Sequence, residues 1–212
     1  MAVRYDYIRQ PAEIYRRSFA IVRAEAGLDR LAPEADMEAV ATRLIHACGM
    51  VDVIDDLAYS TGAVAAGKQA LQNGAPVYCD VEMVRSGIIA NRLPAKNDLV
   101  CTLNDPRVPE HAKQIDNTRS ASAVDFWEAL EGAIVAVGNA PTALFRLLEN
   151  IDRLGVKPAV VIGLPVGFVG AAESKEALAD FGNEVDFITV HGRRGGSAMA
   201  SAVVNALAAG LD

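Results

Sequence analysis

Two stretches decide the fold. Ala133-Ile134-Val135-Ala136-Val137 runs into Gly138-Asn139-Ala140-Pro141-Thr142, and Ala159-Val160-Val161-Ile162 runs into Gly163-Leu164-Pro165-Val166-Gly167-Phe168-Val169-Gly170. Each is a short apolar, largely β-branched run that ends in glycine, and helical patterns follow over residues 141–152 and 171–181. Neither run alternates apolar with polar residues. Strands that are apolar on both sides have helices over both faces, which is the pattern of a parallel sheet built from strand–helix–strand units. Working outward, three more runs keep the rhythm: Pro76-Val77-Tyr78-Cys79 up to Asp80, Leu99-Val100-Cys101-Thr102, and Asp186-Phe187-Ile188-Thr189-Val190. Further helices are expected over residues 120–130 and 195–209, and a helical segment over 11–25, 34–48 and 61–72 precedes the sheet. The expected fold is therefore α/β, a mostly parallel sheet covered by helices on both faces, with an N-terminal helical segment.

At 212 residues the chain fits one domain spanning 1–212, and 51% apolar with 22% charged residues is the composition of a globular protein with a sizeable core. Its 20 basic and 27 acidic residues give a net charge of −7. Such a chain lacks the broad positive field of a nucleic-acid or anionic-membrane binder, so neither partner is expected and an anionic ligand must be held locally. Cys48, Cys79 and Cys101 are odd in number, far apart and set in apolar surroundings, as in reduced thiols of a cytoplasmic protein. Met1-Ala2-Val3-Arg4-Tyr5-Asp6-Tyr7 has no unbroken apolar run of the kind an export signal carries. The most apolar segment, residues 159–172, is interrupted by Gly163, Pro165, Gly167 and Gly170 and is too short for a membrane span.

Ligands of open α/β sheets bind beyond the carboxyl ends of the strands. Asp80, Asn104-Asp105-Pro106-Arg107, the Gly138 turn, the Gly163–Gly170 loop and His191-Gly192-Arg193-Arg194-Gly195-Gly196-Ser197 all fall there, which predicts one rim that gathers them. The Gly163, Gly167, Gly170 spacing lets backbone amides approach an anion at a helix start, but it is neither a dinucleotide fingerprint nor a phosphate-binding loop. Arg193 and Arg194 are suited to holding carboxylates bidentately. Asn117-Thr118-Arg119-Ser120 offers helix caps, and an arginine in a first turn, where the helix dipole disfavours it, points to an anion.

Among three histidines His46 is the informative one. On a helix over 34–48, Met37, Val40, Ala41, Leu44 and Cys48 form an apolar stripe, while His46 projects roughly 180° from Met37 among Ala35, Ala39 and Thr42. Small neighbours leave space for a bulky ligand. Gly49 ends the helix just beyond, so the negative end of the dipole favours the imidazolium form of a candidate proton donor. No metal-ligand spacing such as HExxH and no GxSxG nucleophile turn occurs.

Several blocks then add up. Tyr5-Asp6-Tyr7-Ile8-Arg9, Ile14-Tyr15-Arg16-Arg17-Ser18-Phe19, His46-Ala47-Cys48-Gly49, Cys101-Thr102-Leu103-Asn104-Asp105-Pro106-Arg107, Asn117-Thr118-Arg119-Ser120-Ala121, Gly138-Asn139-Ala140-Pro141-Thr142 and Pro165-Val166-Gly167-Phe168-Val169-Gly170 closely resemble the precorrin-8X methylmutase family, from Tyr5 to about Ala208. The resemblance implies an isomerase of cobalamin biosynthesis that shifts a methyl group on ring C of precorrin-8X to give hydrogenobyrinate, or acts on the cobalt-containing equivalent, with no external cofactor. It places the catalytic histidine on His46, a substrate-contacting arginine on Arg119 and a serine on Ser18. Arg17, Asn117, Thr118, Gly167, Gly170, Arg193 and Ser197 complete the candidate substrate-binding set. The family implies a homodimer with substrate near the subunit interface. Ile89, Ala90 and His191 depart from its pattern, where a threonine and two basic residues are usual. The competing reading is a corrinoid carrier without turnover.

Overall fold

The computed structural model describes residues 4–31 and 35–209; the expected helix start at Glu34 and residues Met1–Val3 lie outside the described residues. Six strands form one sheet: β1 (Leu57–Tyr59), β2 (Val77–Cys79), β3 (Leu99–Val100), β4 (Ile134–Val137), β5 (Val160–Gly163) and β6 (Phe187–Val190), in the order β1-β6-β5-β4-β2-β3. Every neighbouring pair is parallel except β1 with β6. The helices are α1 (Pro11–Ala26), α2 (Ala35–Cys48), α3 (Ala63–Gln72), α4 (Glu82–Gly87), α5 (Val108–Gln114), α6 (Arg119–Val124), α7 (Pro141–Leu154), α8 (Ala171–Asp180) and α9 (Ser197–Ala209).

Alternate strand residues face two cores. Val77, Cys79, Ile134, Ala136, Val160, Ile162, Ile188 and Val190 pack toward α2, α3, α4 and α9, and Tyr78, Val135, Val137, Val161 and Phe187 pack toward α6, α7 and α8. The first side is layered: α9 lies on β4 and β5, α2 packs on α9, and α1 packs on α2. A helix covered on both sides has no polar face to keep, which is why α9 reads Ser-Ala-Met-Ala-Ser-Ala-Val-Val-Asn-Ala-Leu-Ala-Ala with no charge.

The expectation of a mostly parallel sheet holds, with three differences of detail. Strand β1 is a three-residue antiparallel edge too short to carry a period, and the run expected over 99–102 pairs only at Leu99 and Val100. The helix expected over 120–130 stops at Val124. There the Asp125 carboxylate accepts bonds from Arg146 at 2.8 Å and Asn150 at 2.8 Å and meets His111 at 2.7 Å. The chain turns past this cluster and stacks the buried Trp127 ring on Tyr78, centroids 5.4 Å apart. Helices α4 and α5, of six and seven residues, were also too short to predict.

Two buried polar groups hold the loops that carry function. Asp80 follows β2 and is 2% exposed. It was expected as a ligand-facing rim residue, but its oxygens are spent on backbone: Oδ1 accepts the Gly138 N–H and Oδ2 those of Asn139 and Ala140, all at 2.9 Å. Burial raises its pKa, and the three amides act against that shift. Lys175 on α8 is fully buried and donates to the Arg194 carbonyl at 2.5 Å. The Arg194 guanidinium in turn donates to Asp52 at 2.7 Å and to Asp56, both on the 3-10 turn Val51–Asp56 that follows α2. Arg194, expected to be open to carboxylate ligands, is thus committed to the fold. Gly195 is required here, because a Cβ would strike the carbonyls of Leu164 and Pro165 in the loop after β5.

Truncating Asp80 to alanine leaves three backbone amides, two of them buried, without an acceptor, and urea unfolding should register a loss on the order of 3 kcal/mol; an unchanged midpoint would show that the turn holds itself. Lys175 gives a pH signature. Burial pushes its pKa down to about 8 from 10.5. Between those values the unfolded chain binds more protons, so this residue's contribution to stability increases as pH rises. Wild-type stability relative to Lys175→Met should therefore improve from pH 7.5 to pH 10 in matched urea titrations. A constant difference would contradict the assignment.

Candidate active site

Helix α2 carries His46 in its last turn. Gly49, at φ 70°, takes the left-handed conformation and returns its N–H to the Ile45 carbonyl at 2.7 Å, which closes the helix directly after the histidine. Met37, Val40, Ala41 and Leu44 are buried as the stripe required, and His46 is exposed opposite them. Thr42, expected on the open face, is fully buried because α2 is covered by both α1 and α9.

Helix α1 supplies the histidine's setting. Tyr15, Ser18 and Phe19 are spaced i, i+3, i+4 and so share one face. The Ser18 hydroxyl meets His46 Nδ1 at 2.7 Å, and the Tyr15 and Phe19 rings lie with centroids 5.4 Å from the imidazole. Ser18, expected as a substrate contact, thus touches the histidine itself. With Nδ1 occupied, Nε2 is the ring nitrogen left to meet a ligand.

That ligand space is a cleft of about 430 Å³ bounded by α1, α2, α4 and α9, lined by Tyr15, Arg43, His46, Met83, Gly87, Ile89, Ala198, Ser201, Ala202 and Asn205. From α9 it is lined by the small residues Ala198, Ser201 and Ala202, with Asn205 at the edge. Asn205 fixes the opposite edge: Oδ1 accepts the Ile89 N–H at 2.8 Å and Nδ2 donates to the Gly87 carbonyl at 3.0 Å. The Ile89 departure therefore keeps its backbone tied and presents an aliphatic side chain to the cleft.

The other candidates occupy separate places on the chain. Thr118 caps α6, accepting the Ala121 N–H at 3.1 Å, and shares a 2.8 Å hydrogen bond with Thr142 in the first turn of α7. Asn117 Oδ1 accepts the Thr118 N–H at 2.7 Å. Arg119 is exposed, donates to the Leu103 carbonyl at 3.3 Å and lines a cleft of about 670 Å³ with Asn117, Thr118, Lys113 and Asp116. Gly167 and Arg193 line a third cleft, of about 370 Å³, in which the Arg193 guanidinium lies 5.2 Å from the Phe168 ring centroid. Gly167 already donates its N–H to the Arg193 carbonyl at 3.3 Å, and Gly170 opens α8 at φ 79°. Ser197 is buried where α9 begins, and Arg17 lies outside these clefts, paired with Glu13 at 2.5 Å along α1. Of the rim expected from the sequence, the loops after β5 and β6 do meet, at the cleft that Gly167 and Arg193 share, while His46 and Arg119 each line a different cleft. Among the described residues no three His, Cys, Asp or Glu side chains gather as a metal site. The roles of Tyr15, Phe19, Arg43 and Asn205 were not anticipated. The 15, 18, 19 spacing, one polar residue within an aromatic pair on a helix face, was the available signal for the first two.

Comparison with known proteins finds relatives along nearly the whole chain. The family described as precorrin-8X methylmutase (CbiC) matches residues 13–209. A precorrin-8X methylmutase of Pseudomonas aeruginosa is 58% identical over 96% of this chain and 97% of its own length. One from Sinorhizobium sp is 53% identical over 96% and 97%, and a cobalt-precorrin-8 methylmutase of Leptospira interrogans is 37% identical over 92% and 91%. The crystal structure of precorrin-8X methylmutase from Thermus thermophilus superposes with a TM-score of 0.78 at 40% identity, covering 92% of this chain and 94% of that one. With the family matched from the first turn of α1 to the end of α9, the chain belongs to the precorrin-8X methylmutase family.

Proposed function

We propose that this protein is an isomerase that moves a methyl group between neighbouring ring-C carbons of precorrin-8X, giving hydrogenobyrinate, with His46 as proton donor. The observation that carries the reading is the His46 setting: Nδ1 held by Ser18, the ring flanked by Tyr15 and Phe19, and Nε2 left to a cleft that α9 lines with Ala198, Ser201 and Ala202. The migration breaks one carbon–carbon bond of the substrate and forms another, so it needs no outside donor or acceptor of electrons. What it needs is a fixed macrocycle and a proton placed to polarise the conjugated ring, and both can come from one oriented imidazole beside a flat wall. The neutral tautomer that accepts from Ser18 carries its proton on Nε2.

Two curated relatives named for precorrin-8X are 58% and 53% identical to this chain, and five named for cobalt-precorrin-8 are 33–40% identical, which favours the metal-free substrate. Arg119, Asn117, Thr118, Arg193, Gly167, Gly170 and Ser197 are proposed to meet the carboxylate arms. The chain is proposed to act as a cytoplasmic homodimer with substrate near the subunit interface. Exposed Ile14 and Ile21 on α1, exposed Met83 at the His46 cleft, and exposed Val166, Phe168 and Val169 in the loop beside Arg193 supply apolar surface for such a contact.

Binding and chemistry should separate. His46→Ala is expected to fold and hold hydrogenobyrinate while single-turnover isomerisation of precorrin-8X falls about 10²–10⁴-fold. Arg119→Ala should instead weaken product binding by about 1.5–3 kcal/mol. A folded His46→Ala protein that isomerises at the wild-type rate would exclude the mechanism, and one that binds in the absence of any wild-type turnover would identify a carrier. Light scattering should give a mass near twice 22.4 kDa; a monomer active at all concentrations would remove the dimer from the account.

A further inference from the structure

Helix α9 lays one stripe along the His46 cleft: Ala198, Ser201, Ala202 and Asn205, spaced i, i+3, i+4 and i+7. The first three are small. Asn205 is the largest of the four, yet it is buried and turned to the chain that leaves α4. A carboxamide offers an acceptor and a donor in one plane. Here both are spent on a single three-residue segment, Oδ1 on the Ile89 N–H at 2.8 Å and Nδ2 on the Gly87 carbonyl at 3.0 Å.

That segment needs outside support. Helix α4 has only six residues, too few to hold its own geometry, and the chain turns extended at Ile88 (φ −79°, ψ 129°) before the 3-10 turn Ala90–Arg92. Ile88 is buried in the core, and Gly87 lies so close to α9 that a Cβ would strike the Ser201 hydroxyl. These two contacts fix how deep the segment sits. Apolar packing has no direction, whereas hydrogen bonds do, so the two bonds from Asn205 decide which way Ile89 points. Ile89 and His46 line the same cleft, and α2, which carries His46, packs on the same α9. Helix α9 is therefore the common base against which both are placed.

We propose that Asn205 is a positioning residue for the methyl migration: through Ile89 it sets the span of the cleft, so that the macrocycle resting on the Ile89 side chain meets His46 Nε2 in line. The proposal deepens the isomerase reading and rests on it for the reaction. With both polar ends on backbone, Asn205 acts on the substrate through the wall it holds. A large flat ring spreads its binding over the whole cleft and tolerates a small shift of one wall. Proton transfer from one imidazole nitrogen does not, since a displacement of about 1 Å is enough to cost on the order of 10²-fold in rate.

Asn205→Leu keeps the volume and loses both hydrogen bonds; Asn205→Ala loses both and opens space, so agreement between the two isolates the bonds. With circular dichroism confirming the fold, kcat on precorrin-8X should fall about 10–100-fold in each, while KM and the Kd for hydrogenobyrinate stay within about threefold of wild type. Ile89→Ala leaves the clamp intact and removes only the side chain it aims; it should show the same split, and it carries the measurement if position 205 does not tolerate substitution. A merely structural asparagine would lower the unfolding temperature and leave kcat per folded molecule unchanged. A double-mutant cycle checks the route: without the donor there is nothing to align, so adding Asn205→Ala to His46→Ala should cost less than about threefold further. Wild-type kcat in the folded single variants, affinity lost in step with rate, or full additivity with His46→Ala would overturn the positioning role alone. A wild-type protein that never isomerises precorrin-8X would instead refute the isomerase reading and the proposal with it.

Discussion

The Asp80 carboxylate, buried at the end of β2 with three backbone amides of the turn after β4, is the interaction on which the rest of the site depends. From β2 the chain passes to β3 on one side, and β4 then pairs on the other, so β2 and β4 are where the connections of the sheet diverge. In open α/β sheets a divergence of this kind leaves a crevice. Here a carboxylate closes it. The turn it fixes leads into Pro141 and Thr142, and Thr142 reaches Thr118 at the cap of the helix that bears Arg119. At the same turn Gly138 approaches Val84 of α4 and Ser197 and Ala200 of α9 so closely that a Cβ would lie 2.7, 2.8 and 3.0 Å from them. Helices α4 and α9 form the wall beside His46. One buried side chain, Asp80, therefore locates both the arginine side and the histidine side of the proposed site.

The second organising constraint is layering. Because α9 is covered by the sheet on one side and α2 on the other, α2 is lifted away from the strands and its carboxyl end is left open beside α1. A histidine there meets a wall of small residues instead of strand-end loops. The loop after β6 is tied back to the turn that follows α2 through Arg194, Asp52 and Asp56, and it is held from beneath by Lys175. Acidic side chains that dominate the composition are drawn into such pairs, as Glu13 and Asp105 are, each held near a pKa of about 2 by neighbouring arginines.

Features set by local pattern were readable from the sequence: five strands with apolar residues on both sides, the α2 stripe, the Gly49 stop and the opposed position of His46. What escaped depends on distant partners. Asp80 looked like a rim residue because its acceptors are used by amides nearly sixty positions away, and Arg194 looked ligand-ready because Asp52 and Asp56 arrive from the other end of the chain. The end of α6 at Val124 is set by Arg146 and Asn150 capturing Asp125, which no window around residue 125 contains. Arg17 shares a block with Ser18 but follows a different face of α1, toward Glu13. Arg119 was marked by its place in a helix's first turn and by resemblance to a family, and Ser18 by the resemblance alone; their hydrogen bonds came only from the structure, which made Ser18 a partner of the histidine.

The account turns on where the macrocycle lies, and the crystal structure of the hydrogenobyrinate complex decides it. The prediction is ring C within hydrogen-bonding reach of His46 Nε2, with Nδ1 still held by Ser18 and the corrin plane along the small residues of α9. A macrocycle seated in the strand-end crevice between the Gly163–Gly170 and His191–Gly196 loops, with His46 facing solvent, would contradict it.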